Sequence, residues 1–532
     1  MRRTFVAPLL GLLGLAQSPQ PPANTTPAVW VVSSLTRVVR GDIPGQLTTP
    51  HLYAARGEYE AFQIAVRAPT SGLTLQSAVA SDLTNGAGGS LSSSNITLYR
   101  EHYVQVTASS PDRHGSNRSL GPGWYPDALI PFVSPNTGSP LAGGAYQAAP
   151  FTVDPAGTLT IWVDVWVAPG TSPGDYAGTV TLSTDQGDLS VPWTLTVWNF
   201  TLPLKSTLRS AFLYGDMSSL AADEELLRHK IEPLREPSWE QSTLINSFGL
   251  GDVGLSFWSG ADAKNCTMSA APSASQIQAA VAAQQTGLST YIYSADEIGA
   301  CASLFPVVQQ WAQSMHQAGI SNLVVIPPTP ALYDDGTGTG RSAVDIWVVL
   351  PMQYNSAGIG QVQAKGDEVW SYNALVQDGY SPKWLIDYDP INYRIQAGFL
   401  SQSQGLTGLL YWRVDQWSPD PWNNVNNAGQ FGNGNYPGEG LLVYPGKDVG
   451  LSGVVPSMRL KQLREGVEDY EYVAILKRLG RGDWALGLVR SVAPDWRNWT
   501  RDANALEAVR HQLGAEIDRL SNPTATTAVR KR

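Results

Sequence analysis

The chain has 532 residues, 43% hydrophobic and only 15% charged, which excludes a disordered chain and leaves room for two or three domains with large cores. A formal net charge of −10, with no basic block ahead of the C-terminal tail, excludes nucleic acid and anionic membranes as partners. The 18 Trp and 21 Tyr stand against 6 His and 2 Cys. Rings in that number suit either β-sandwich cores or stacking on the apolar face of a sugar.

At the N-terminus, Arg2 and Arg3 precede the apolar run Phe5 to Ala16, with small and polar residues near Gln17-Ser18. This predicts a secretory signal over residues 1–18, too short to span a bilayer, and a Pro/Thr/Asn-rich linker over 19–29. No later stretch is apolar enough to span a membrane, so the mature chain is expected to be exported, to periplasm or extracellular space, without a membrane span. From Trp30 to Phe200, alternating or β-branched runs such as Phe62–Val66, Leu159–Val167 and Trp193–Trp198 recur between Gly, Pro, Asn and Asp clusters. They predict a β-sandwich over 30–203 that braces the next domain or binds carbohydrate. Glu58 and Glu60 read as solvated charges at strand ends.

After Leu202-Pro203 the pattern becomes strands alternating with helices. Expected strands are Arg209–Tyr214, Val253–Phe257, Thr290–Tyr293, Asn322–Ile326, Asp345–Leu350, Glu368–Tyr372, Trp384–Asp387 and Gly408–Trp412. Expected helices include 222–229, 275–285, 305–318 and 391–400. Eight strands with intervening helices predict a (β/α)8 TIM-like barrel within residues 204–520, completed by C-terminal helices. The overall fold class is therefore multidomain β and α/β.

In such a barrel, side chains meet ligand at the C-terminal ends of the strands. The third strand ends in Asp296-Glu297, an adjacent acidic pair able to supply one charged and one protonated carboxyl. Aromatic residues on or after the strands form the expected sugar-binding set: Tyr293, Trp347, Tyr354, Trp370, Tyr372, Trp412 and Trp417. The Gly/Asn/Pro-rich loop from Trp417 to Gly440, with Trp422, is expected to wall a cleft. Asp387, Asp389 and Asp415 read as capping or structural carboxylates, with Asp387 and Asp415 held as alternative nucleophiles. Cys266 and Cys301, both near the acidic pair, are candidates for a disulfide in an exported protein. No metal-ligand spacing occurs, and no cofactor is expected. Ser457 is positioned to cap a helix through Leu479 whose apolar stripe is flanked by Arg464, Glu465, Glu468, Asp469 and Glu471, expected as a solvated, ion-paired face. A last helix is expected over 503–520 and a disordered tail over 521–532.

Three C-terminal stretches carry a family resemblance: Gly438-Glu439-Gly440 with Leu441–Gly446, Val455–Leu460, and Leu463-Arg464-Glu465-Gly466-Val467-Glu468-Asp469-Tyr470-Glu471-Tyr472. They resemble family 123 glycoside hydrolases, and the likeness extends over nearly the whole mature chain, although this signature lies outside the expected chemistry. The resemblance implies a retaining β-N-acetylgalactosaminidase with an N-terminal sandwich and a catalytic barrel, working by substrate-assisted catalysis. It implies Glu297 as general acid/base and Asp296 as the residue positioning the 2-acetamido group. Ile298 stands where the family's pattern has Pro. The competing expectations are a glycosidase with a direct carboxylate nucleophile and a non-catalytic carbohydrate-binding surface protein.

Overall fold

The structure, a computed structural model, describes residues 25–522 except 216 and 218. The expected signal, most of the linker and nearly all of the tail lie outside the described residues.

Two β-sheets form the N-terminal layer pair. One has strands 28–33, 58–67, 158–167, 96–106 and 123–131 in that spatial order; the other is built on 51–56, 187–201, 174–184, 73–80 and 151–153. Strand 158–167 shows how the sequence builds this pair. Successive side chains on a strand face opposite sides. Ile161, Val163 and Val165 enter the sandwich core with Val180, Leu182 and Trp193. Trp162 on the opposite face packs with Met458. Asp164, also on that face, meets Lys461 and Arg464 at 2.6–3.1 Å.

The second unit is a nearly closed sheet of seven parallel strands: β1 (Arg209–Phe212), β2 (Asp252–Gly254), β3 (Ser289–Ala295), β4 (Ser321–Val325), β5 (Ile346–Val349), β6 (Glu368–Tyr372) and β7 (Gly408–Tyr411), in spatial order β1-β7-β6-β5-β4-β3-β2. The gap between β1 and β2 is bridged by residues 232–234. Phe212 N donates to Glu232 O at 3.0 Å, Leu234 N to Phe212 O at 2.9 Å, and Gly254 N to Leu234 O at 2.8 Å. The expected strand Trp384–Asp387 does not exist. Those residues form turns outside the sheet, and β6 pairs directly with β7.

Around the sheet lie α1 (Leu220–Arg228), α2 (Ser238–Phe248), α3 (Ala274–Ala282), α4 (Phe305–Gln317), α5 (Ser356–Ala364) and α6 (Ile391–Ile395, wound on through Ser403), followed by α7 (Met458–Arg478), α8 (Gly482–Arg490) and α9 (Ala503–Ser521). Among the described residues, no helix is long and apolar enough to cross a membrane.

Ser457 caps α7 by accepting from Leu460 N at 3.2 Å. The helix's charged flank is not solvated, contrary to expectation. Nearly every side chain from Met458 to Ala474 is buried, because α7 is wedged between sandwich and barrel. Its charges find partners across both interfaces: Arg459 with Asp127, Arg464 and Lys461 with Asp164, and Asp469 with Arg394 of α6. Gly466 lets α6 approach, since a Cβ there would lie 2.5 Å from Arg394 O. Glu58 and Glu60 are likewise buried, both paired with Arg510 of α9.

Candidate active site

The inside of the barrel is filled by Leu234, Tyr291, Tyr293, Leu323, Val348, Trp370 and Tyr372, among others. It is a packed core, so any ligand must sit above it, at the C-terminal mouth. At the opposite end Arg209 closes the base by pairing with Asp252 (2.6 Å) and Glu368 (2.5 Å).

Strand β3 delivers the acidic pair to the mouth. In an extended chain, neighbours would point to opposite faces. Two irregularities break that rule: the pairing of β3 with β4 shifts register after Tyr293, and Glu297 takes a left-handed conformation with φ +50°. A non-glycine residue there costs roughly 1–2 kcal/mol, a local strain typical of functional turns. Tyr293 donates its hydroxyl to Asp296 Oδ1 at 2.7 Å. Asp296 is part-buried, whereas Glu297 is exposed at the lip. Burial raises the Asp296 carboxyl above its usual range, opposed by the Tyr293 hydrogen bond. Burial, reinforced by the negative charge of Asp296, raises that of Glu297. Both carboxylates also raise the hydroxyl of Tyr372, behind its burial, so the two acids and this phenol share one space.

The opposite wall comes from β7 and the segment after it. Trp412 donates its indole N–H to Glu439 Oε1 at 2.6 Å, and Leu375 N donates to Glu439 Oε2 at 2.8 Å. Burial pushes the Glu439 carboxyl up to about 7. Gly440 makes the arrangement sterically feasible, because a Cβ there would lie 2.6 Å from the Trp412 ring. Phe431 meets Trp412 edge-on at 5.6 Å. The Gly438-Glu439-Gly440 signature, expected outside the chemistry, therefore contributes a buried carboxylate to this wall. Two glycines around a lone acid, shortly after the eighth expected strand, were the available signal.

The other expected sugar-binding residues divide. Tyr293, Tyr372 and Trp412 come together around the acidic pair. Trp347 and Trp370 do not reach the mouth and are fully buried. Trp347 points outward from β5, donating to Asp367 at 3.0 Å, while Trp370 packs inside the barrel against Gly408. Tyr354 packs edge-on against Trp496 in the outer layer. Trp417 donates to Val443 O and, like the buried Trp422, packs toward the sandwich. Trp422 stacks on Tyr146 at 4.7 Å and so fixes the loop rather than facing a cleft.

The alternative nucleophiles are already engaged. Asp387 is buried and accepts from both the amide and the hydroxyl of Ser110, at 2.7 Å each. Asp415 accepts from Gly215 N, Met217 N and Arg413 Nε at 2.6–3.1 Å. Asp389 faces the sandwich segment around Arg37. No group of His, Cys, Asp and Glu suited to a metal ion occurs among the described residues.

Cys266 and Cys301 are disulfide-bonded, with Cα atoms 5.3 Å apart. The bond ties the loop after β2 to the turn that follows Glu297. A separation of 35 residues gives an expected loss of about 3–4 kcal/mol on reduction, in the chain-entropy account. Denaturant unfolding with and without reductant measures it; an unchanged midpoint would mean that the tether adds nothing to stability.

The comparisons with known proteins bear on this geometry. Residues 330–476 match the sequence model of the glycoside hydrolase 123 catalytic domain, a segment holding Tyr372, Trp412 and Glu439 but not the acidic pair. A family 123 glycoside hydrolase from Clostridium perfringens, described for glycolipid glycan hydrolysis, shares the fold with a TM-score of 0.65 at 13% identity, over 95% of this chain and 100% of that one. A Parabacteroides merdae β-glucuronidase (TM-score 0.28, 9% identity, 78% of this chain and 50% of that one) and a putative α-galactosidase from Bacteroides fragilis (0.23, 10%, 70% and 75%) are too distant to inform the fold. No curated protein matches the sequence. The domain match places the chain among the glycoside hydrolases. Over residues 330–476 the match is to family 123, and the fold is shared with a family 123 enzyme along nearly the whole chain.

Proposed function

We propose that the protein is an exported, retaining glycosidase that removes terminal β-linked N-acetylhexosamine, N-acetylgalactosamine first among candidates, by substrate-assisted catalysis. The observation that carries this reading is the pairing of Asp296 and Glu297 at the mouth, while Asp387 and Asp415 are locked in structural hydrogen bonds. In this reading Asp296 positions the substrate instead of attacking it, and the substrate's own acetamido oxygen is the attacking group. It displaces the leaving oxygen at C1 and closes an oxazolinium ring. Glu297 gives its proton to the leaving oxygen and later takes one from the incoming water. Asp296, held by Tyr293, accepts the acetamido N–H and stabilises the positive charge that develops. The glycan of a glycolipid is one substrate class compatible with this chemistry. The segment 232–234 is read as the eighth stave of a (β/α)8 barrel, and the disulfide supports an oxidising compartment.

The test pairs an aryl β-N-acetylgalactosaminide with the matching β-galactoside. Cleavage of the acetamido sugar alone is expected; equal cleavage of both would discard the oxazolinium route. The pH profile follows from the same assignment. Activity requires ionised Asp296 and protonated Glu297, so it falls on the acid side as Asp296 takes a proton and on the alkaline side as Glu297 loses one. Both carboxyls are raised, so the bell should lie above the range of two ordinary carboxyls. A rate independent of pH between 3 and 9 (roughly the span of perturbed carboxyls) would contradict it.

A further inference from the structure

Trp258 is an exposed aromatic residue on the mouth to which the proposed chemistry gives no role. It follows β2, is 48% exposed, and meets the Tyr293 ring edge-on at 5.7 Å. Tyr293 in turn holds Asp296. An exposed tryptophan alone means little, since apolar atoms make up much of any surface; Trp239, on α2, is 80% exposed. Trp258 differs in how it is held. Ser259, the next residue, is buried and donates its hydroxyl to Ser294 O on β3 at 2.5 Å. Ser269 N returns to Ser259 O at 2.8 Å, and Cys266 within the same loop is bonded to Cys301. The loop is therefore stitched at both sides to the strand and turn that carry the acids. Its indole is left at the solvent edge.

The depth of each residue indicates what Trp258 would touch. Tyr293, Tyr372 and Glu439 are nearly buried and lie in the floor and wall of the mouth. Glu297 and Trp258 are the exposed members at the lip. The proton donor must lie at the leaving oxygen, so a ring at its level meets whatever lies beyond that oxygen. Resting on the proposed glycosidase reading, we infer that Trp258 is a stacking platform for the sugar on the leaving-group side, held rigid by the Cys266–Cys301 disulfide. A preorganised indole offers a pyranose C–H face a large apolar surface at little entropic cost. The protein then selects oligosaccharide substrates over glycosides with small aglycones.

The experiment measures kcat/KM for two substrates, an aryl β-N-acetylgalactosaminide and a trisaccharide ending in β-linked N-acetylgalactosamine, in wild type, Trp258→Ala and Trp258→Phe. The trisaccharide-to-aryl ratio is expected to fall about tenfold in Trp258→Ala, the effect of losing one stacking contact, and to be partly restored in Trp258→Phe. The Cys266→Ser/Cys301→Ser double variant should lower the same ratio, with thermal melts confirming that each variant folds. An unchanged ratio overturns the inference, as does an equal fall on both substrates, which would place Trp258 against the cleaved sugar instead. Absence of turnover in wild type would defeat the proposed function. Trisaccharide affinity, measured by calorimetry in Glu297→Gln with and without Trp258→Ala, decides the platform separately: a fall of about tenfold supports it and equal affinities reject it.

Discussion

Glu297→Gln should lower kcat on an unactivated β-N-acetylhexosaminide by about a thousandfold, within the usual range for loss of a general acid. The amide keeps the side chain's shape but has no acidic proton to give the leaving oxygen. The fold should survive, because Glu297 is exposed and its side chain caps no helix. The effect should depend on the leaving group. A nitrophenolate departs without full protonation, so an activated aryl glycoside should lose much less than an alkyl or sugar glycoside in the step that breaks the bond. Steady-state kinetics on the two substrates separates this from a binding defect, which would penalise both alike. Wild-type turnover of the unactivated substrate by Glu297→Gln would remove Glu297 from its role. Asp296→Asn provides the complement. Loss of its charge should damage oxazolinium formation whatever the leaving group, so its penalty should be similar on both substrates.

The acidic pair was legible in the sequence because its signal is local: a β-prone run that ends in two carboxylates. Other parallel strands carry uninterrupted apolar runs of the same kind, such as Leu323-Val324-Val325 in β4, Ile346–Val349 in β5 and Leu409-Leu410-Tyr411 in β7. Residues 232–234 were missed because Glu232-Pro233-Leu234 has a charge and a proline where a strand signature is sought. A stave making only a few backbone bonds to each neighbour tolerates a residue without an N–H. Trp384–Asp387 misled in the opposite sense, since the three apolar residues Trp384, Leu385 and Ile386 are buried by turns packed under the sandwich. The sugar-binding set erred by position along the strand. Trp347 and Trp370 sit mid-strand, where side chains enter one core or the other, whereas Tyr372 and Trp412 sit at strand ends and reach the mouth. Weighing distance from the strand terminus would have separated them.

The charged flank of α7 was the largest misreading, and its physics yields the strongest expected effect on stability. Asp164→Ala should destabilise the protein by about 3–5 kcal/mol, the range for removing one partner of a buried ion pair. Asp164 is buried on the strand 158–167 face opposite the sandwich core and holds two cations, Lys461 at 2.8 Å and Arg464 at 2.6 Å. Alanine leaves both cations in the wedge between sandwich and barrel. Arg464 keeps the Tyr59 ring at 4.2 Å and Glu465 at 3.2 Å, whereas Lys461 keeps the Tyr99 hydroxyl at 3.4 Å, its ring and the more distant charge of Glu225. Asp164→Asn, which still offers an acceptor oxygen, should lose less. The cations hold the Asp164 carboxyl well below its ordinary value despite burial. Its stabilisation is therefore fully present above the unfolded value near pH 4 and is lost as pH falls toward the folded one. Urea unfolding at pH 7 should show the full difference between wild type and Asp164→Ala, and a series into acid should show it narrowing. A gap that widens in acid would mean that the cations, not the carboxylate, set the balance in the wedge. Because α7 also packs on α6 through Gly466 and Arg394, the same variant should expose the barrel as well as the sandwich, with both losing structure in a single transition.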